Sequence, residues 1–379
     1  MKWEKVKLGD ICKYVTSGGT PKSSIKEYYE PKQIPWLKTK EVNYCRIYET
    51  ESYISKDGLD NSSAKMIPQN SVIVAMYGQG DTAGRVAINK IPLTTNQACC
   101  NLIIDETKAY YEFVYYQLVT LYEKMVSLKN GGAQPNLNAA IIKSIEIKLP
   151  PLKTQRYIAD ILSSYDNLIE NNQKQIKLLE EAAQRIYKEW FVDLRFPGHE
   201  NTKIVDGVPE GWSRGLLKEL ISVNYGKDHK KAPDDGNIPV YGSGGLMRKC
   251  NKSLFSGEAV LIPRKGSLNN IMYVDETFWT VDTMFYATMK QLHTVVFVYF
   301  FVKAFDMYSM NIGAAVPSMT AKILDAMDVV IPDKETLEKF DKLTKTYFNK
   351  IKTLQGQNER LKIARDLLLA KLMSGEVEV

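Results

Sequence analysis

The sequence predicts an α+β chain: two mixed α/β globules separated by two long antiparallel coiled-coil helices, related by a pseudo-two-fold internal repeat. Three observations predict it. A segment recurs at a spacing of about 182 residues. A heptad pattern follows each copy. Short apolar runs bounded by glycine-rich turns fill most of the rest.

The repeat is read residue by residue. Gly131 falls on Gly313, Pro135 on Pro317, Leu137 on Met319, Ala139 on Ala321, Ile141 on Ile323 and Pro150 on Pro332. Ile145, Ile147 and Leu149 fall on Met327, Val329 and Ile331. These triplets alternate with polar residues, as a half-buried strand requires. Phe113-Val-Tyr-Tyr matches Phe297-Val-Tyr-Phe upstream, and Trp3, Val6 and Leu8 match Trp212, Leu216 and Leu217 more weakly. Solenoid repeats run at about 20–50 residues, so this longer period signifies two copies of one domain plus one helix. The copies divide the chain into globules at 1–150 and 205–331 and helices at 151–196 and 332–379. Gly198–Gly211 reads as the linker between halves.

The first helix carries Ile158, Leu162, Tyr165, Ile169, Asn172, Ile176, Leu179, Ala183, Ile186 and Trp190 at alternating spacings of four and three. The second carries Leu337, Phe340, Thr344, Tyr347, Ile351, Leu354, Asn358, Leu361, Arg365, Leu368 and Leu372. This is coiled-coil spacing, and it spans roughly 50 Å at about 1.5 Å per residue. Each seam holds one Asn near its middle, a residue that fixes register at a cost in stability. An antiparallel pairing with residue numbers summing to 530 sets Ile158 on Leu372, Trp190 on Phe340 and Asn172 on Asn358. The alternative is that the two Asn sit at the coil edge, facing water.

In the globules, runs such as Ser71-Val-Ile-Val-Ala-Met and Ala259-Val-Leu-Ile-Pro read as strands. Gly78-Gln-Gly80-Asp-Thr-Ala-Gly84 lacks G-x-G-x-x-G spacing and reads as a tight turn between strands.

Composition narrows the function. Apolar residues make up 44% and charged residues 25%, as in a soluble globular protein. The five cysteines (Cys12, Cys45, Cys99, Cys100 and Cys250) form no C-x-x-C pair. That argues against zinc and against a disulfide framework, and favours the cytoplasm. The opening MKWEKVKLGD has no apolar signal segment. Val295–Val302 is too short to cross a membrane. Net charge is +6, with 19 basic against 15 acidic residues in 1–150 and 13 against 13 in 205–331. Such a balance permits nucleic-acid binding without demanding it. Only three histidines are present, none in H-E-x-x-H, and no phosphate-binding loop or G-x-S-x-G appears. No metal site and no cofactor of the chain's own is expected.

What remains is a repertoire for reading DNA from loops. Base edges are read by Arg, Lys, Asn, Gln and Asp, and phosphates by Lys, Ser, Thr and backbone N–H groups. The first globule offers Thr20, Lys22, Ser23, Ser24, Lys38, Thr39, Lys40, Gln79, Asp81, Thr82, Arg85, Asn96 and Gln97. The second offers Lys227, Lys230, Lys231, Tyr241, Ser243, Arg248, Lys249, Arg264, Lys265, Asn269 and Asn270.

The order of motifs resembles the specificity subunit of type I restriction-modification systems. Gly18-Gly-Thr-Pro-Lys, Ile34-Pro-Trp-Leu-Lys and Thr95-Asn-Gln-Ala-Cys look like a first target-recognition domain. Ile147-Lys-Leu-Pro-Pro-Leu-Lys-Thr-Gln155 is similar to the family's entry into its conserved helix, usually L-P-P-L-x-E-Q. Lys188-Glu-Trp-Phe-Val-Asp-Leu-Arg-Phe-Pro197, Val208-Pro-Glu-Gly-Trp212, Pro239-Val-Tyr-Gly-Ser-Gly-Gly245 and Thr280-Val-Asp-Thr283 resemble the helix exit and the second domain. The second junction, Ile331-Pro-Asp-Lys-Glu, departs from the pattern with a single Pro. The resemblance implies that each domain reads one half of a bipartite, asymmetric site in double-stranded DNA. The helices set the spacer and dock two methylation subunits, and restriction subunits join them. S-adenosylmethionine, ATP and Mg belong to those partners. Two other readings stay open on the residues alone: a coiled-coil protein adaptor that binds no DNA, and a self-sufficient methyltransferase or nuclease.

Overall fold

The computed structural model describes residues 3–78, 80–129, 136–310 and 317–377. The chain forms two compact units, Met1–Asn171 with Gln357–Val379, and Asn172–Gly356. Each long helix contributes to both.

In the first unit a five-stranded sheet runs in the order Cys12–Ser17, Cys99–Ile104, Val72–Ala75, Val86–Asn89, Cys45–Ile47. Its central strands are buried on both faces, which explains why Val72–Ala75 reads as a continuous apolar run and why Cys99–Ile104 is apolar apart from Asn101. A smaller sheet orders Tyr53–Ile54, Ile34–Leu37 and Thr94–Thr95, the last two parallel. Glu4–Lys7 pairs antiparallel with Glu146–Leu149. One core joins the sheet to the helix Tyr111–Thr120 and to Ile158, Leu162, Leu369 and Leu372 of the long helices.

The second unit has a six-stranded sheet ordered Ile221–Tyr225, Met284–Met289, Phe255–Pro263, Met272–Thr280, Ile238–Gly242, Gly245–Cys250. Ser213–Leu216 pairs with Asp328–Ile331. The apolar run too short for a membrane is a buried helix, Val295–Lys303. Among the described residues, no helix is long and apolar enough to cross a membrane.

The duplication is written in equivalent backbone hydrogen bonds. Leu8 N–H donates to Ile145 O in one unit and Leu217 N–H to Met327 O in the other. Leu137 N–H donates to Met76 O, and Met319 N–H to Arg264 O. The sequence register thus holds at Leu137/Met319, Ile145/Met327 and Ile147/Val329, the last pair lying opposite Val6 and Gly215, so Val6 is matched by Gly215 and not by Leu216. Gly131, Pro135 and Gly313 lie outside the described residues.

The first long helix runs Leu152–Tyr187 and ends in a π-helical turn, Lys188–Val192, that carries Trp190. The second runs Lys334–Ser374. Within each unit the two helix segments run antiparallel. In the first, Ile158 and Leu372 share a core, and Asp166 meets Arg365 at 2.6 Å. In the second, Trp190 and Phe340 have ring centroids 5.9 Å apart. Ile158 with Leu372 and Trp190 with Phe340 obey the sum of 530, and Asp166 with Arg365 lies one residue from it. Asn172 and Asn358 are 7% and 5% exposed, so neither sits at a wet edge.

The two helices start differently. At the first, Pro150-Pro151 precede the helix, and Gln155 turns back to donate to Pro150 O while accepting from Tyr110 N–H, both at 2.8 Å. At the second, Asp333 stands in as N-cap. It accepts from Thr336 N–H at 2.9 Å, from the Thr336 hydroxyl at 2.7 Å and from Trp212 Nε1–H at 2.9 Å. That is how the single-proline junction still begins a helix. The stretch read as a linker carries a hairpin, Ile204–Val205 with Val208–Pro209. It turns on Asp206-Gly207 at φ 52° and 75°, a dipeptide suited to such a turn.

Candidate nucleic-acid interface

In each unit five chain segments converge where strands end. In the first, Gly19 N–H donates to Thr95 O, Asn96 N–H to Leu37 O, Met76 N–H to Ala98 O and Leu137 N–H to Met76 O, all within 2.8–2.9 Å. In the second, Lys227 N–H donates to Thr280 O, Val281 N–H to Tyr241 O, Arg264 N–H to Thr283 O and Met319 N–H to Arg264 O, within 2.8–3.0 Å. A loop following a strand end is free of ladder constraints, so its side chains can face a ligand. Most sequence candidates sit in these loops.

In the first unit the convergence brings together Thr20, Lys38, Asn96 and Gln97. The Thr20 hydroxyl bonds the Gln97 amide, and Gln97 also reaches the half-buried Tyr77. Lys38 Nζ lies 5.1 Å over the Trp36 ring. Lys22, Ser23 and Ser24 extend from the same loop, exposed. Thr39 and Lys40 form a short turn after Lys38, and Lys40 pairs with Glu51. A second group lies beyond Ala75. Arg85 donates to Asp81 at 2.5 Å and to Asn43 at 2.9 Å. That bond holds the Asp81 carboxyl below its ordinary pKa. Tyr122 donates to Asp81 O, and burial pushes the neighbouring Tyr44 hydroxyl up to about 12. Thr82 belongs to this loop; Gln79 lies outside the described residues.

In the second unit Ser243, Arg264, Lys265, Asn269 and Asn270 are brought together. Asn270 donates to Ser243 O at 2.9 Å, and Asn269 donates to Asp306 while accepting from Met307 N–H. Arg264 stacks over Tyr225 with 5.5 Å to the ring centre. Tyr241 donates to Glu276 at 2.5 Å. Arg248 points inward: its guanidinium donates to His229 O at 2.5 Å and Ala232 O at 2.6 Å. It thereby braces the turn His229–Lys231 that presents Lys230 and Lys231. Lys22, Lys227, Lys230, Lys231, Lys249 and Lys265 are exposed, with no acidic partner among the described residues.

Sequence reasoning passed over the charges that seat each globule on its helix. Arg46, 6% exposed at the side chain, lies 3.9 Å from Glu112 and 3.5 Å from Glu170, and bonds Asn167 at 2.6 Å. In the second unit Asp341, 2% exposed, holds His293 at 2.7 Å and Lys345 at 3.1 Å, and Lys345 also bonds Glu258. Apart from Asp341 and Lys345, one helical turn apart, the partners are far apart in sequence, so no local pattern marks them.

All five cysteines are free thiols. Burial pushes Cys12 and Cys100 up to about 12, which keeps them protonated and unreactive. Among the described residues, no group of three His, Cys, Asp or Glu side chains could hold a metal ion.

A module of strand-end readout loops seated on a paired helix segment, present twice in one chain, defines a tandem recognition protein. Residues 1–181 and 209–362 both match the model of the type I restriction modification DNA specificity domain. The chain belongs to that family, as a non-catalytic DNA-specificity subunit. It is 28% identical to the type I restriction enzyme MjaIX specificity subunit of Methanocaldococcus jannaschii, over 100% of this chain and 94% of that one. It is 22% identical to the HindI specificity subunit of Haemophilus influenzae, over 99% of each. The crystal structure of the M. genitalium S subunit superposes with a TM-score of 0.63 at 18% identity, covering 98% of this chain and 96% of that one.

Proposed function

We propose that each unit reads one half of an asymmetric, bipartite site in duplex DNA, through the loops gathered at its strand ends. The observation that carries this reading is the duplication itself: one convergence of five segments, built twice with equivalent hydrogen bonds, in a chain of the specificity family. Exposed lysines supply sequence-independent phosphate contacts. Asn96, Gln97, Arg85 and Arg264 offer donors and acceptors for base edges.

The long helices set the number of unread base pairs and dock two methylation subunits. Those partners bind S-adenosylmethionine, flip the target adenine and methylate its amino group. Restriction subunits supply ATP- and Mg-dependent cleavage. The assembly works in the cytoplasm. To test this, the complex with a cognate methylation subunit is offered a pool of random duplexes. Retained duplexes should share two fixed blocks separated by a gap of constant length. Retention without regard to sequence, or retention of nothing, would overturn the reading.

A further inference from the structure

We propose that Trp36 and Trp279 are positioning residues for DNA readout, each locking the first reading loop of its own unit through an indole N–H. This rests on the reading above and adds to it the residues that hold those loops in place.

The geometry is the same in both units. The strand Cys12–Ser17 runs out at Gly18, whose N–H donates to Cys99 O at 3.3 Å. The strand Ile221–Tyr225 runs out at Gly226, whose N–H donates to Met284 O at 3.0 Å. Neither glycine has room for a side chain: a Cβ would lie 2.1 Å from Thr95 O at Gly18 and 1.9 Å from Val281 O at Gly226. The next residue is then held at both polar ends. Gly19 N–H donates to Thr95 O, and Gly19 O accepts from Trp36 Nε1–H at 3.0 Å. Lys227 N–H donates to Thr280 O, and Lys227 O accepts from Trp279 Nε1–H at 3.1 Å. Beyond the lock the chain opens into exposed polar residues: Thr20, Lys22, Ser23 and Ser24 in one unit, Lys230 and Lys231 in the other.

The two tryptophans do not occupy equivalent positions. Trp36 lies on the first strand of a parallel pair, opposite Thr94. Trp279 lies on the second strand of the equivalent pair, opposite Val240. Each is 5% exposed. The halves thus reach one bond from opposite strands of the pair, and that bond, together with the glycine close approach, is common to both. A fixed carbonyl sets the direction in which the chain leaves, and so where the following side chains lie.

The test uses Trp36→Phe and Trp279→Phe, which keep an aromatic ring and remove the donor. Each variant is assembled with the methylation subunit. Initial methylation rates are measured on the cognate duplex and on duplexes with one mismatch in either half. Trp36→Phe should cut discrimination about tenfold against mismatches in one half only, and Trp279→Phe in the other half only. Equal loss in both halves, or unchanged discrimination by a complex that still assembles, overturns the proposal. If Trp36→Phe fails to fold, 3-benzothienylalanine at position 36, which keeps the bicyclic ring and lacks only the N–H that Gly19 O accepts, replaces it with the same expectation. A wild-type complex with no bipartite preference would instead sink the functional reading itself.

Discussion

Replacing Gln155 by Leu probes how the first globule is seated on its helix. The Gln155 side chain is 1% exposed, and its amide makes two bonds at 2.8 Å, donating to Pro150 O and accepting from Tyr110 N–H. Leucine fills nearly the same volume and makes neither. Each orphaned buried group costs about 1–3 kcal/mol, so the pair costs about 2–6 kcal/mol. Burial of the apolar leucine side chain recovers about 1 kcal/mol. The net loss is about 3 kcal/mol. In a unit of this size each kcal/mol moves Tm by about 2–4 °C, so Tm should fall by about 6–12 °C. Calorimetry on the full chain reads this as a shift of the first unit's transition, with exposed Lys153→Ala as the control. A shift no larger than the control's would refute the claim that Gln155 bridges the helix start to the globule.

Other outcomes follow from the same geometry. Asp333→Ala removes the cap of the second helix and should cost about 1 kcal/mol. Burial pushes the Asp333 carboxyl up, but the bonds from Thr336 and Trp212 outweigh it and hold it below its ordinary 3.8. Its stabilisation is therefore present above that value and lost below it, so urea midpoints of wild type and variant should converge as the solution is acidified past 3.8. Arg365→Met removes the guanidinium from the Asp166 carboxylate, whose side chain is 13% exposed and which keeps its bond from the Tyr116 hydroxyl, and should lower the unfolding free energy in urea by about 2 kcal/mol. A heptad inserted into both long helices should change the unread gap and leave both base blocks intact, as read by methylation of a duplex library.

Much of the fold was legible because it lies in local period. The heptads placed Trp190 on Phe340, and the 182-residue register placed Leu137 and Met319 on equivalent carbonyls. The Asp206-Gly207 turn was equally local but was masked by its polar surroundings. What the sequence hid is long-range. The parallel pairing of Ile34–Leu37 with Thr94–Thr95 has no signature in either segment. The same holds for Arg46 with Glu170 and for Lys345 with Glu258. Residue type alone also does not separate reading residues from bracing ones. Arg248 and Asn269 look like base readers, yet both bond inward to the protein. Lys230 and Lys231, which Arg248 braces, remain exposed.

The most direct test of two-part recognition is co-expression with a cognate methylation subunit, followed by genome-wide mapping of methyl-adenine. The account predicts one asymmetric motif of two blocks separated by a fixed unread gap. Trp36→Phe should relax one block and Trp279→Phe the other. A motif confined to a single block, or an unmodified genome, would contradict it.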